Sequence, residues 1–137
     1  MSCAEESTDV GQSQSAPVIL VVEDDESTRA VMEEALTLEG YQVRTAEHGQ
    51  AALALLALGI QPAVIVTDIR MPVMDGQAFI RALAADYHPI PLLITAASSS
   101  ISEWAEDLGV TDWLSKPFEL NDFLTRIAQL SRVASTV

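Results

Sequence analysis

The chain has 137 residues, of which 49% are hydrophobic, and this is enough to fill the core of one domain. Twenty acidic residues against seven basic ones give a net charge of −13, which opposes nonspecific attraction to nucleic acid or anionic lipid. No apolar run approaches the roughly 18 residues that a membrane-spanning helix needs. We therefore expect one domain that binds neither nucleic acid nor membranes.

The first sixteen residues, MSCAEESTDVGQSQSA, lack both the basic start and the apolar stretch of a signal peptide. They predict a disordered, polar tail over 1–16. The single cysteine, Cys3, cannot form an internal disulfide bond, so a reducing cytoplasm is the expected compartment.

Beyond this tail, five short runs predict β-strands, and segments of helical period separate them. The runs VILVV (18–22), AVIVT (63–67) and LLIT (92–95) are apolar at nearly every position, which is typical of strands covered by helices on both faces. YQVRT (41–45) alternates and predicts a half-exposed edge strand, and DWLS (112–115) predicts a short strand at the other edge. The alternation predicts an α/β domain with a parallel sheet.

Five helices are predicted over 27–39, 49–58, 76–86, from about Ser100, and over 119–131. In the first, Val31, Ala35 and Leu38 share a helical face, which predicts that these three residues face the core. Gly40 then ends that helix as a C-terminal cap.

Side chains with useful chemistry follow four of the five predicted strands. Glu23 and Asp24 follow the first, Asp68 follows the third, Thr95 ends the fourth, and Lys116, the only lysine, follows the fifth. Ligands of open parallel sheets bind at the carboxyl ends of the strands, and right-handed crossovers bring those ends to one rim. We expect these five residues to converge on one site.

Two carboxylates about 4 Å apart repel by roughly 4 kcal/mol at an effective dielectric constant of about 20, so three on one rim need a cation. Mg²⁺ suits such oxygen ligands, and Glu23 and Asp24 are predicted to hold it. Lys116 adds a positive charge and Thr95 a hydroxyl donor, which suits a phosphoryl group. Asp68 stands alone at its strand end, so its carboxylate is the predicted phosphoryl acceptor.

Each feature also has a simpler explanation when it is taken alone. EDDE (23–26) is typical of a solvated loop in which Asp25 or Ser27 caps the next helix. Asp68 fits a turn, and Thr95 fits a β-branched residue within a strand. Their occurrence together at matching strand ends favours the functional interpretation.

The motifs resemble those of the receiver domain of two-component response regulators, over Pro17 to about Arg132. ILVVEDDESTRAVMEEALTLEGYQV resembles the acidic opening and first helix of that family, and VIVTDIRMPVMDG resembles its phosphoacceptor loop. LLITA and WLSKPF resemble its hydroxyl and lysine motifs. The resemblance implies a flavodoxin-like, doubly wound (βα)5 fold with a five-stranded parallel sheet of order 2-1-3-4-5. It divides the chain into the tail, a receiver domain over 17–132 and a short tail over 133–137.

The same resemblance implies that Asp68 takes a phosphoryl group from a histidine kinase or a histidine phosphotransfer domain. Glu23, Asp24 and Asp68 would hold Mg²⁺ together with the backbone carbonyl of Arg70.

It further implies that Thr95, Ala96 and Lys116 surround the phosphoryl group. The Thr95 hydroxyl would move toward it while Trp113 turns inward, which would change the affinity of the face formed by the fourth helix, fifth strand and fifth helix for a downstream protein. The Lys116–Pro117 peptide bond is expected to be cis.

The expected function is a phosphorylation-controlled signalling switch and not an enzyme with an external substrate. A single-domain regulator, acting as a monomer or weak homodimer, is the first expectation, and the receiver module of a hybrid histidine kinase is the alternative.

A phosphohydrolase of the haloacid dehalogenase type shares this set of groups, but places its nucleophile after the first strand in a D-x-D pattern. Here Asp68 follows the third strand, and two places on lies Arg70. A flavodoxin-like cofactor binder needs a hydroxyl- and glycine-rich loop where this chain is acidic.

Overall fold

A computed structural model of the chain describes residues 16–69, 76–86, 90–97, 101–110 and 112–135. The elements in chain order are β1 (Val18–Val22), α1 (Glu26–Leu38), β2 (Gln42–Ala46), α2 (Gly49–Ala57), β3 (Val64–Asp68), α3 (Gly76–Asp86), β4 (Leu92–Ala96), α4 (Ile101–Leu108), β5 (Trp113–Ser115) and α5 (Leu120–Ser135). The predicted N-terminal tail lies outside the described residues except for its last residue, Ala16.

The five strands form one parallel sheet in the order β2-β1-β3-β4-β5, which confirms the predicted order 2-1-3-4-5. The register pairs Val22 with Thr67 and pairs Asp68 with Thr95. Because the strands end nearly level, the residues that follow them line the same rim of the sheet. The fold thus supplies the edge at which open parallel sheets bind their ligands.

Helices cover both faces of the sheet, which is why the central strands are apolar at successive positions. Side chains such as Ile19 and Val66 point to the face where α1 and α5 pack, through Met32 and Phe123. The alternate side chains point to the face covered by α2, α3 and α4. At the edge, β2 alternates between exposed and partly buried residues, as predicted.

The prediction for the buried face of α1 was right for Ala35 but wrong for Val31 and Leu38. Val31 and Leu38 are 52% and 79% exposed, and the buried residues are Met32, Ala35 and Leu36. Ala35 belongs to both possible apolar faces of this helix, so the helical period alone does not distinguish them. Packing against the sheet and α5 selects the face with the two long side chains.

The helix ends follow local chemistry. Asp25 caps α1, since its carboxylate accepts a hydrogen bond of 2.8 Å from the Thr28 amide, and Gly40 follows the helix at a φ of 96°, in the left-handed region that favours glycine. His48 caps α2 by accepting from the Ala51 amide at Nδ1, 3.1 Å away. At the other end of the chain, α5 continues to Ser135, four residues past its predicted end.

Candidate functional site

Three strand ends meet at the ammonium group of Lys116. Its Nζ lies 2.7 Å from Glu23 Oε1 and 2.8 Å from Asp68 Oδ2. Glu23 directly follows β1, Asp68 is the last residue of β3, and Lys116 directly follows β5. The structure therefore brings together residues that are 93 and 48 positions from Lys116 in the chain.

Hydrogen bonds hold Glu23 at its backbone and at its carboxylate. Its amide donates to the Ala46 carbonyl at 3.0 Å, and its carbonyl accepts from Arg29 Nη1 at 2.9 Å. Its Oε2 accepts from the Asp25 amide at 3.1 Å, while Oε1 accepts from Lys116. Glu23 is 1% exposed, so these contacts supply the partners that a buried carboxylate needs.

Glu23, Asp24 and Asp68 form a group in which one carboxylate oxygen from each residue lies within 4.8 Å of the others. Asp24 is exposed, whereas the other two residues are buried. One ammonium against three carboxylates leaves the group short of positive charge, and an all-oxygen donor set suits a hard divalent cation such as Mg²⁺. Arg70, whose carbonyl was predicted to join this group, lies outside the described residues.

The pKa values of Glu23 and Lys116 are both raised. The shift favours the neutral form of Glu23 and the charged form of Lys116. Desolvation raises the pKa of Glu23 above its ordinary value of 4.5, although the hydrogen bond from Lys116 acts against this shift. Desolvation also acts to lower the pKa of Lys116, but its hydrogen bonds to Asp68 and Glu23 outweigh burial and raise that pKa above 10.5. The ammonium is therefore firmly charged at neutral pH.

Replacing Glu23 with glutamine is expected to stabilise the metal-free protein near neutral pH. Because the folded-state pKa of Glu23 lies above its unfolded value of 4.5, folding takes up a proton at Glu23 between these two values, and the contribution of Glu23 to stability falls as pH rises through that window. Glutamine does not titrate, so the stability advantage of Glu23→Gln should grow over the same window. Urea unfolding with a chelator, from about pH 4 to about pH 8, measures it.

Glu33→Gln, on the exposed face of α1, is the matched control because it removes an exposed carboxylate that is not one of the two hydrogen-bond partners of Lys116. A difference between Glu23→Gln and the wild type that stays constant with pH, or that shrinks as pH rises, would contradict this assignment.

Thr95 lies beside Asp68 in the sheet and is fully buried. Among the described residues, its Oγ1 is the buried side-chain polar atom without a hydrogen-bond partner. Such an atom is costly unless a ligand or water satisfies it. Next to it, Ala96 is buried and its carbonyl accepts from the Lys116 amide at 2.9 Å. A hydroxyl donor and the lysine therefore border the same end of β3.

Trp113 is partly buried and packs against the cluster that contains Ile94 and Ala96, as does Trp104. Its carbonyl accepts from Arg126 Nη1 at 3.2 Å, which connects β5 to α5. The Lys116–Pro117 bond that follows this strand is cis, as expected.

Two contacts of this site were not predicted. The sequence predicted metal binding by Glu23 and pairing of Lys116 with Asp68, but not the contact between Lys116 and Glu23. It also overlooked Arg29, whose spacing of one helical turn from the Asp25 cap was the available signal.

The comparisons with known proteins concern the family and the fold of this chain. Residues 19–128 match the family model of the response regulator receiver domain. The chain is 39% identical over 120 residues to the transcriptional regulatory protein PrrA of Mycobacterium leprae, covering 86% of this chain and 51% of that protein. It is 38% identical over 116 residues to the response regulator MprA of Mycolicibacterium vanbaalenii, covering 83% and 50%. The chain thus spans about half the length of these curated relatives.

Solved structures give the same result. The chemotaxis protein CheY4 of Vibrio cholerae superposes with a TM-score of 0.74 at 32% identity, covering 84% of this chain and 98% of that one. The receiver domain of the Francisella response regulator 1452 gives a TM-score of 0.78 at 27% identity, covering 85% of this chain and 97% of that one.

None of the described helices combines the length and apolar character of a membrane-spanning segment. The chain belongs to the receiver domain family of two-component response regulators, and as such is a signalling module.

Proposed function

We propose that this receiver accepts a phosphoryl group on Asp68 from a phosphohistidine of a histidine kinase or a histidine phosphotransfer domain, in a reaction that depends on Mg²⁺. The observation that carries the proposal is the contact of 2.8 Å between the Lys116 ammonium and Asp68 Oδ2, with Glu23 on the same ammonium. It puts a fixed positive charge beside the carboxylate that would react.

In the proposed step, an Asp68 oxygen bonds to phosphorus while the bond from phosphorus to the histidine nitrogen breaks, and that nitrogen keeps the electron pair. Lys116 neutralises the phosphoryl oxygens, and the buried Thr95 hydroxyl donates to one of them. The small side chain of Ala96 leaves room beside that hydroxyl. Such transfer relies on positioning and charge and needs no general base from the protein.

Glu23, Asp24, Asp68 and the Arg70 carbonyl are the proposed Mg²⁺ ligands. When bound, the ion would neutralise the charge on the transferring group. The spacing of the three carboxylates supports this assignment.

The proposed output is a change in the face formed by α4, β5 and α5. Thr95 would move toward the phosphoryl group and Trp113 would turn inward, and the altered face would bind a downstream protein. The packing of Trp113 against the cluster that contains Ile94 and Ala96 supports this coupling, since both residues adjoin Thr95 in β4.

We further propose that this receiver belongs to a response regulator that works in the cytoplasm through protein contact, with no nucleic-acid binding by this chain, as a monomer or weak homodimer and without catalytic turnover of an external substrate. The net charge of −13 supports the lack of nucleic-acid binding by this chain. The receiver module of a hybrid histidine kinase is the alternative, and the order of the neighbouring genes separates the two.

The protein should gain the mass of one phosphoryl group when it is incubated with acetyl phosphate and Mg²⁺, and none when a chelator replaces Mg²⁺. The reason is that the rim carries more carboxylate than ammonium charge and would repel the donor without the ion. Intact-mass spectrometry measures the gain. Equal labelling with and without the chelator would contradict the metal requirement, and no labelling in either case would contradict the proposed activity.

A further inference from the structure

Arg29 lies one turn into α1 and reaches back to the end of β1. Its Nη1 donates to the Glu23 carbonyl at 2.9 Å, and its side chain is partly buried. This contact joins the helix to the strand across the loop 24–25, which carries the exposed carboxylate of Asp24.

The Glu23 carbonyl and the Asp24 amide belong to one planar peptide unit. A guanidinium that holds the carbonyl oxygen therefore also fixes the direction of the Asp24 amide and restricts where the Asp24 Cα can lie. Other hydrogen bonds hold the chain before and after this peptide unit. Before it, the Glu23 amide donates to the Ala46 carbonyl, and after it, the Asp25 carboxylate caps α1. Arg29 supplies the hydrogen bond to the peptide unit between those two anchors.

We propose that Arg29 is a positioning residue for metal binding, which acts by holding the Glu23–Asp24 peptide so that the Asp24 carboxylate faces Glu23 and Asp68. This inference rests on the proposed Mg²⁺ site. Without the contact, the loop must be ordered when the ion binds, and ordering one residue weakens binding by roughly 5- to 30-fold.

The sign of the effect separates positioning from charge alone. A guanidinium near the rim repels a cation, so if Arg29 acted only through its charge, Arg29→Gln would bind metal more tightly. Positioning predicts the opposite, weaker binding. Arg29→Lys keeps the charge but loses the planar group that reaches the carbonyl, so it should also bind metal more weakly.

The test is direct binding of Mn²⁺, followed through the electron paramagnetic resonance signal of the free ion, with Mg²⁺ as competitor and no phosphodonor present. Arg29→Gln and Arg29→Lys are each expected to raise the half-saturating concentration roughly 5- to 30-fold while binding the same number of ions per chain. The control is Arg81→Gln on the exposed side of α3, which removes a positive charge outside the β1–α1 loop. It should stay within about twofold of the wild type.

A second measurement is the dependence of phosphoryl uptake on Mg²⁺. The half-saturating concentration should rise in both Arg29 variants, whereas the rate at saturating Mg²⁺ should stay within about twofold. Tighter binding by Arg29→Gln, or unchanged binding by Arg29→Lys, would overturn the inference. If the wild type binds Mn²⁺ but takes up no phosphoryl group, the proposed function fails while the role of Arg29 in metal binding stands.

Discussion

Replacing Asp68 with asparagine should abolish phosphoryl uptake from acetyl phosphate. Asparagine keeps the shape of the side chain but its amide is not a nucleophile for phosphorus, so the expected loss is complete. Asp68 ends β3 beside Thr95 and contacts Lys116, so no other described carboxylate has the same combination of neighbours. Intact-mass spectrometry in the presence of Mg²⁺ measures the loss.

The matched control is Asp122→Asn on α5, which removes an exposed carboxylate and should be labelled like the wild type. A second control is hydroxylamine, which cleaves acyl phosphates and should remove the label from the wild type. Equal labelling of Asp68→Asn and the wild type would show that the acceptor is another residue.

Replacing Lys116 with methionine should lower the free energy of unfolding of the metal-free protein by about 1–3 kcal/mol near neutral pH. Methionine fills much of the same volume but leaves the buried carboxylates of Glu23 and Asp68 without their ammonium partner. The cost lies below that of breaking a fully buried pair because the Lys116 side chain is 20% exposed. Urea unfolding with a chelator measures the difference.

The pH dependence of this difference has a definite sign. The pKa of Lys116 is raised above 10.5 in the folded state, so the stability from the ammonium is fully present below about pH 10.5 and is lost as pH rises through the folded-state value. The stability difference between the wild type and Lys116→Met should therefore shrink above about pH 10, as the ammonium loses its proton. At lower pH the difference also reflects Glu23, because the hydrogen bond from Lys116 lowers the pKa of Glu23 and the variant lacks it.

A double-mutant cycle with Glu23→Gln identifies the partner. In the Glu23→Gln protein, Lys116→Met should lower the free energy of unfolding by less than it does in the wild type, since one of the two carboxylates that pair with the ammonium is gone. If the changes in unfolding free energy of the two single variants add up to that of the double variant, Lys116 is not paired with Glu23 in solution. A stability difference between the wild type and Lys116→Met that widens above about pH 10 would contradict the raised pKa of Lys116.

The fold was predictable because each strand carries its own pattern. The apolar runs of β1, β3 and β4 are long enough to indicate strands covered on both faces, and the alternation in β2 indicates an edge. The buried face of α1 was not predictable in the same way. Val31 with Leu38 and Met32 with Leu36 are both apolar pairs at helical spacing, and only contact with the sheet distinguishes them.

The sequence by itself determined the type of each group at the rim, because the carboxyl ends of parallel strands must lie on one side of the sheet wherever the crossovers are right-handed. Only the tertiary structure decided which group contacts which. The shared contact of Lys116 with Glu23 and Asp68 depends on distances of 2.7 and 2.8 Å between residues from separate elements. The reach of Arg29 to the Glu23 carbonyl depends on how α1 packs against the sheet. A sequence pattern specifies strand ends and helix faces, but a hydrogen bond between elements depends on angstrom-level packing, which is settled when the whole core is assembled.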